Sequence, residues 1–245
     1  MVATASEPPP CLRNFSAEHP VALFLDFDGT LVDLAPTPEG IVVSDDLADG
    51  LAKLSDRLDG RLALISGRVI ADLERHCGSL TVACGGSHGA ELRAATGQML
   101  VSGEPLPAPV LQEVSNWALP RDILVEAKAY GIALHTRTRP AMEGECALYL
   151  EQVARRSGLA VKLGKRVAEL IRPGADKGEA VRRFMAEMPF AGALPIFVGD
   201  DLTDEDGFEA CSALGGFGVV VGDRPSQAAL HRLDNPKAVR EWLEL

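Results

Sequence analysis

Residues 21–32 limit the possible folds of this chain more than any other stretch. Val21-Ala22-Leu23-Phe24-Leu25 is an unbroken apolar run, the pattern of a strand buried on both faces. Such a strand needs a sheet covered by helices on either side. Asp26 and Asp28 follow at once, one residue apart, and then comes Gly29. In extended backbone the two carboxylates would point to one side. Gly29 lets the chain leave the strand end in a conformation that other residues resist. Two like charges that close repel unless a cation lies between them or one carboxyl keeps its proton. A costly pair therefore stands at the carboxyl end of a buried strand, where open α/β sheets bind their ligands. A plain acidic turn would leave the same local trace. A calcium-binding EF-hand loop would not, because Leu31 stands where its sixth position needs glycine and no glutamate follows at the twelfth.

The strand pattern recurs along the chain. Residues 62–65 read as a second buried strand ending in Ser66-Gly67-Arg68, and residues 81–84 as a third. Residues 194–198 end in Gly199-Asp200-Asp201, and a last strand over 218–221 ends in Gly222-Asp223-Arg224-Pro225. Helices fall between them. Ser44 reads as the N-cap of one with Leu47, Leu51, Leu54 and Leu58 on one face and Gly60 at its end. Another covers 69–76. Asp176 and Glu179 fit a capping box, and Asn235-Pro236 opens a closing helix whose Val239, Trp242 and Leu243 face the sheet. This alternation predicts an α/β fold with a doubly wound, Rossmann-like parallel sheet.

Between these halves the rhythm changes. Residues 97–109 are rich in Gly and Pro, a candidate boundary. Beyond it, Val110, Leu111, Val114, Trp117 and Ala118 mark an amphipathic helix. Strands follow over 122–128 and 132–138 around Gly131, then a helix over 142–156 and strand-like runs over 159–163 and 167–172. Hairpin strands with two helices make a small α+β unit. The expected organisation is a flexible lead-in over 1–20, a core domain of 21–98 and 170–245, and an inserted domain over 99–169.

Charge narrows the function. The 245 residues carry 24 Lys and Arg against 35 Asp and Glu, a net charge of −11. No basic footprint for nucleic acid is present. An anionic substrate would have to be drawn by a local cluster or a metal. The five cysteines, at 11, 77, 84, 146 and 211, are odd in number and form no C-x-x-C pair. They read as reduced thiols of a cytoplasmic protein, not as a disulfide framework or a zinc site. The first twenty residues lack the basic start and apolar core of a signal peptide, and no run approaches the ~20 apolar residues of a membrane span. The oligomeric state is left open.

Four element ends carry polar groups: Asp26 with Asp28, Ser66, Lys177 just inside a helix start, and Asp200 with Asp201 and Asp204. In a doubly wound sheet such ends share one rim. Each alone has a plainer reading, as a solvated lysine, a turn, or helix capping. Together they suit phosphoryl transfer. Carboxylates would hold Mg²⁺, a hard cation that often shares its ligands with phosphate. Lys177 would offset phosphate charge, Ser66 would bond its oxygens, and one aspartate would be free to attack phosphorus. The Gly-rich stretch over 214–218 precedes a strand, the reverse of a dinucleotide fingerprint. The histidines at 19, 76, 88, 135 and 231 show no metal-ligand spacing and read as surface or satisfied core groups.

Asp26-Phe27-Asp28-Gly29-Thr30, Ser66-Gly67-Arg68, Lys177 and Gly199-Asp200-Asp201 resemble the four motifs of the haloacid dehalogenase superfamily of phosphatases. The chain resembles more closely the trehalose-6-phosphate phosphatases within it. Ser87-His88-Gly89-Ala90-Glu91-Leu92-Arg93, Val125-Glu126-Ala127-Lys128, Ala133-Leu134-His135-Thr136-Arg137 and Gly164-Lys165-Arg166-Val167-Ala168-Glu169-Leu170 carry that likeness, as does 199–206. Ala127 and Thr136 depart from the family's usual Asp and aromatic residue. The resemblance implies a haloacid dehalogenase-type core with an inserted cap that reads the sugar, Mg²⁺ as cofactor, and hydrolysis of trehalose 6-phosphate. It implies Asp26 as nucleophile, Asp28 as acid and then base, and Ser66 and Lys177 as holders of the phosphoryl group. Metal ligands would be Asp26, the Asp28 carbonyl and Asp200, oriented by Asp201 and Asp204. Asp26, Phe27, Asp28, Gly67 and Arg68 would line the substrate. In the insert, Glu126 and Lys128 share one strand face and His135 and Arg137 another, each opposite an aliphatic residue, as a solvated face also would. The resemblance makes these four sugar contacts and adds Lys165 and Glu169.

Other readings stay open. A related phosphatase could take another sugar phosphate. A receiver-type signalling domain also uses a strand-end Asp, a hydroxyl and a Lys, though without an insert. A non-catalytic sensor would be expected to lack a motif residue.

Overall fold

The structure is a computed structural model that describes residues 7–35, 37–164 and 166–245. The chain forms two compact units, one running to Ser102 and resuming at Asp176–Leu245, the other Gly103–Ala175. The larger unit begins with helix α1 (Leu12–Glu18), strand β1 (Val21–Leu25), α2 (Leu47–Arg57), β2 (Leu62–Ile65), α3 (Ile70–Cys77), β3 (Ala83–Gly86), β4 (Glu91–Arg93) and β5 (Met99–Val101). The smaller unit contains α4 (Ala108–Ala118), β6 (Leu124–Lys128), β7 (Gly131–His135), α5 (Glu143–Ser157), β8 (Ala160–Gly164) and β9 (Val167–Ile171). The larger unit then adds α6 (Lys177–Met185), β10 (Leu194–Gly199), α7 (Glu205–Ala213), β11 (Phe217–Val221), β12 (Ala229–Leu233) and α8 (Pro236–Leu243).

The large sheet runs β12-β11-β10-β1-β2-β3-β4-β5. β1 is buried along its whole length and pairs in parallel with β10 and β2. Its alternate residues enter two cores. Leu23 and Leu25 join Leu51, Leu54, Leu73, Val239 and Leu243 from α2, α3 and α8. Ala22 and Phe24 join Val181, Phe184 and Phe208 from α6 and α7 on the other face. This is the doubly wound arrangement that the apolar runs predict. From β1 the chain order steps outward through β2 and β3 on one side and from β10 through β11 and β12 on the other. The ends of β1 and β10 therefore flank a topological switch point, the usual ligand crevice of such sheets.

Several details differ from the expectations. Residues 7–20 are ordered, not a flexible lead-in. Leu12 is buried, Phe15 stacks edge-on against Phe217, Trp242 donates to the Pro10 carbonyl at 2.8 Å, and Leu194 N–H donates to the Pro20 carbonyl at 2.7 Å. Residues 1–6 lie outside the described residues. Ser44 does not cap α2 with its side chain; its hydroxyl bonds Asp46, and its carbonyl accepts from Leu47 N–H. The sheet also gains an antiparallel edge, β3-β4-β5, and an outer strand β12. Because β5 belongs to that edge, residues 99–102 go with the larger unit. Residues 167–171 form a strand of the smaller sheet, so that unit runs on to Ala175, beyond the expected 169.

The smaller unit is a four-stranded antiparallel sheet, β6-β7-β9-β8, with α4 and α5 on one face. Val125, Ile132, Leu134, Ala168 and Leu170 meet Val114, Cys146, Leu150 and Val153 in its core. All five cysteines are free. Among the described residues, no helix is long and apolar enough to cross a membrane.

Candidate active site

Asp26 follows the last residue of β1 and is only 4% exposed. Its N–H donates to the Val198 carbonyl of β10, which ties the strand end to its neighbour. Lys177 opens α6, directly after Asp176, whose side chain caps the helix by accepting from Glu179 N–H at 2.7 Å. Lys177 Nζ lies between two carboxylates, 2.6 Å from Asp26 Oδ1 and 2.5 Å from Asp204 Oδ1, in surroundings that leave it 2% exposed. Asp204 ends a short turn after β10. Its other oxygen accepts from Asp201 N–H at 2.8 Å and the Asp201 side chain accepts in turn from Asp204 N–H, a reciprocal capping box, while Asp201 Oδ1 also accepts from Leu202 N–H. Both oxygens of Asp204 are thus committed to holding Lys177 and the loop.

Asp200 completes the group. One carboxylate oxygen each from Asp26, Asp200 and Asp204 lie within 4.8 Å of one another. Thr30 Oγ1 spans Asp26 and Asp200 at 3.4 and 3.5 Å. Gly29, at φ +78°, makes room for Asp200: a Cβ there would come within 2.2 Å of its Oδ2. Arg224, beyond β11, fixes the loop from outside by donating to the carbonyls of Asp200 and Asp201 at 3.0 and 3.1 Å.

The electrostatics call for a cation. Burial pushes the Asp26 carboxyl well above its ordinary range; Lys177 opposes this, while Asp204 and Asp200 add to it. Burial pushes Asp200 up to about 6, helped by Asp204 and Asp201. Burial disfavours the Lys177 ammonium, but Asp204 and Asp26 more than offset that and hold it charged. One ammonium does not neutralise three clustered carboxylates, Asp26 and Asp204 buried and Asp200 half-buried. An all-oxygen donor set with excess negative charge fits a hard divalent ion. Asp204 gives both oxygens to short bonds from Lys177 and the Asp201 N–H, whereas Asp26 Oδ2 and Asp200 Oδ1 meet only the long Thr30 contacts, which leaves Asp26 and Asp200 as the carboxylates to face one.

Ser66 ends β2, beside β1 on the same rim, and is 1% exposed. Its hydroxyl accepts from Arg68 N–H at 3.2 Å. Asp28 is engaged on both oxygens, which accept from Nε and Nη2 of Arg68 at 2.7 and 2.8 Å. Phe27 is fully buried in the core, so any ligand contact from it falls to its main chain. Gly67 lies under the His88 ring, which would stand 2.8 Å from a Cβ there.

A trehalose-phosphatase family model matches residues 24–235. The chain belongs to the trehalose-phosphatase family. It is 37% identical over 230 residues to a trehalose-6-phosphate phosphatase of Escherichia coli K12, covering 91% of this chain and 85% of that one. It is 36% identical over 227 residues to a probable trehalose-phosphate phosphatase of Sinorhizobium fredii, covering 89% and 84%. In three dimensions it is similar to the C-terminal domain of a C. albicans trehalose-6-phosphate phosphatase, with a TM-score of 0.80, 25% identity, and 98% and 97% of the two chains covered.

Family membership directs attention to the smaller sheet as well. Its face opposite the helices carries Glu126 and Lys128 on β6, His135 on β7 and Glu169 on β9. His135 Nε2 is 2.7 Å from Glu126 Oε2, and Lys128 Nζ donates to Glu169 Oε2 at 2.8 Å. The bond to His135 holds Glu126 below the ordinary carboxyl range. Arg137 lies past the end of β7 and is exposed, so strand alternation does not extend to it. Lys165 lies outside the described residues. Lys162, directly opposite Glu169 in the β8–β9 register, shares this face, and reading alternation across the strand pair would have found it. Thr30, Glu91 and Arg224 were also given no separate role in the sequence reading. Arg224 was visible there only as a charge at a strand end.

Proposed function

We propose that this protein hydrolyses trehalose 6-phosphate to trehalose and phosphate with Mg²⁺ through a phosphorylated Asp26. The observation that carries the reading is the buried Asp26–Lys177–Asp204 bridge, with Asp200 beside it, in a member of this family. In the first step an Asp26 oxygen bonds phosphorus as the bond to the sugar oxygen breaks. The departing oxygen keeps the electron pair and takes a proton from Asp28. In the second, the Asp28 carboxylate takes a proton from water, whose oxygen bonds phosphorus as the link to Asp26 breaks. Ser66 and Lys177 hold the phosphoryl oxygens. Asp26, the main-chain carbonyl of Asp28 and Asp200 would hold Mg²⁺, which when bound would supply positive charge that the phosphate can approach. Asp201 and Asp204 orient that set. Gly67, Arg68 and the main chain at Phe27 border the phosphate, and Glu126, Lys128, His135, Arg137, Lys165 and Glu169 contact the sugar. Five free cysteines support a cytoplasmic setting.

The test is phosphate release from trehalose 6-phosphate by wild type and Asp26→Asn, with Mg²⁺ and with EDTA. Wild type is expected to turn over only with the metal. Asp26→Asn, nearly isosteric, is expected to fold normally by circular dichroism and to be inactive. Full activity in excess chelator would remove the metal from the account. More than a few per cent activity in the variant would remove covalent catalysis through Asp26.

A further inference from the structure

We propose that Asp72 is a positioning residue for the reaction, acting through Arg68 on Asp28. The inference rests on the reading of Asp28 as the group that gives and takes the proton. Arg68 leaves the Ser66-Gly67 turn just before α3, and its side chain is 9% exposed. Two corners of its guanidinium, Nε and Nη2, grip the two oxygens of Asp28. The third, Nη1, donates to Asp72 Oδ2 at 2.7 Å. One rigid plane therefore joins two carboxylates, and fixing one edge of it aims the other.

Asp72 is suited to be the fixed end. It lies in the first turn of α3, where a negative charge is favoured, and its second oxygen accepts from Arg75. His76 Nε2 lies 3.3 Å from Arg68 Nη1, adding a neighbour on the same helix. The start of α3 is itself anchored, because Glu91 of β4, 8% exposed, accepts from Ile70 N–H at 2.6 Å. Asp72, bonded to the remaining Nη1, holds the guanidinium plane, and with it the Asp28 carboxyl that Nε and Nη2 grip, in one orientation. Without it, a long side chain would be free to leave its rotamer.

The test compares Asp72→Asn and Asp72→Glu with wild type on p-nitrophenyl phosphate, phenyl phosphate and trehalose 6-phosphate, with Mg²⁺. The leaving groups need a proton increasingly in that order. Misplacing a proton donor costs part of the ~100- to 10,000-fold of general acid–base catalysis. The expected result for Asp72→Asn is a kcat lowered roughly tenfold or more on phenyl and sugar phosphates, less than about threefold on p-nitrophenyl phosphate, with KM nearly unchanged. Asp72→Glu should recover most of the loss. An equal fall on all three esters, no fall, or loss of the circular-dichroism signature in both variants overturns the proposal. If wild type hydrolyses the aryl esters but not trehalose 6-phosphate, the sugar assignment fails alone, and the contrast between the two aryl esters still decides for or against Asp72.

Discussion

Asp26 and Asp200 carry charges that the folded chain resists. Asp200, pushed up to about 6 first by burial, binds its proton more tightly folded than unfolded. Its contribution to stability is therefore full below the ordinary carboxyl range and is lost as pH rises towards 6. A divalent cation takes the ionised form and reverses that loss. Saturating Mg²⁺ should accordingly raise Tm more at about pH 7.5 than at about pH 5. Differential scanning calorimetry at both values checks this, and equal gains would deny Asp200 a place in the metal site. The same residues mark the limit of reading by spacing. That Asp26, Lys177, Asp200 and Asp204 would meet was legible, because each ends or opens an element on one rim. Which partner each would choose was not. Alternation set Asp28 on the same side as Asp26, but its grip by Arg68 is a contact across 40 positions that no local pattern encodes.

Elements were legible in proportion to their burial. β1, β2, β10 and β11 are apolar runs because both of their faces meet helices, and the amphipathic α2 and α8 carry their own periodicity. β4 and β5 are three residues each, and β12 is only partly buried, so neither alternation nor apolar length marks them. α1 escaped notice beside Pro8-Pro9-Pro10 because only Leu12 and Phe15 bear its apolar contact. That contact is testable. Leu12 is 4% exposed against the core, and truncating a buried leucine typically costs about 2–5 kcal/mol. Leu12→Ala should lower the urea midpoint by a corresponding amount without altering the initial rate at low temperature. An unchanged midpoint would mean that α1 adds nothing to the larger unit.

At the scale of the whole molecule, the net charge of −11 means that the proposed reading requires a local exception for phosphate, which Lys177, Arg68 and a divalent cation would supply. In the proposed reading, phosphoryl chemistry and sugar choice fall to different units of the chain, and substitution should separate them. Glu169 is 12% exposed and bonds Lys128, and a hydrogen bond to a charged group contributes roughly 1.5–3 kcal/mol. Glu169→Ala should therefore lower kcat/KM on trehalose 6-phosphate by about ten- to a hundred-fold and change p-nitrophenyl phosphate hydrolysis far less. Parallel losses on both esters would move Glu169 from sugar reading to stability of its unit. The central claim itself is met most directly by kcat/KM of the wild-type protein, with Mg²⁺, across trehalose 6-phosphate, glucose 6-phosphate, sucrose 6-phosphate and fructose 6-phosphate. The account predicts that trehalose 6-phosphate exceeds every other ester by at least the factor of about ten that one lost charged contact would cost. Equal rates across the panel, or a preference for another ester, would contradict it.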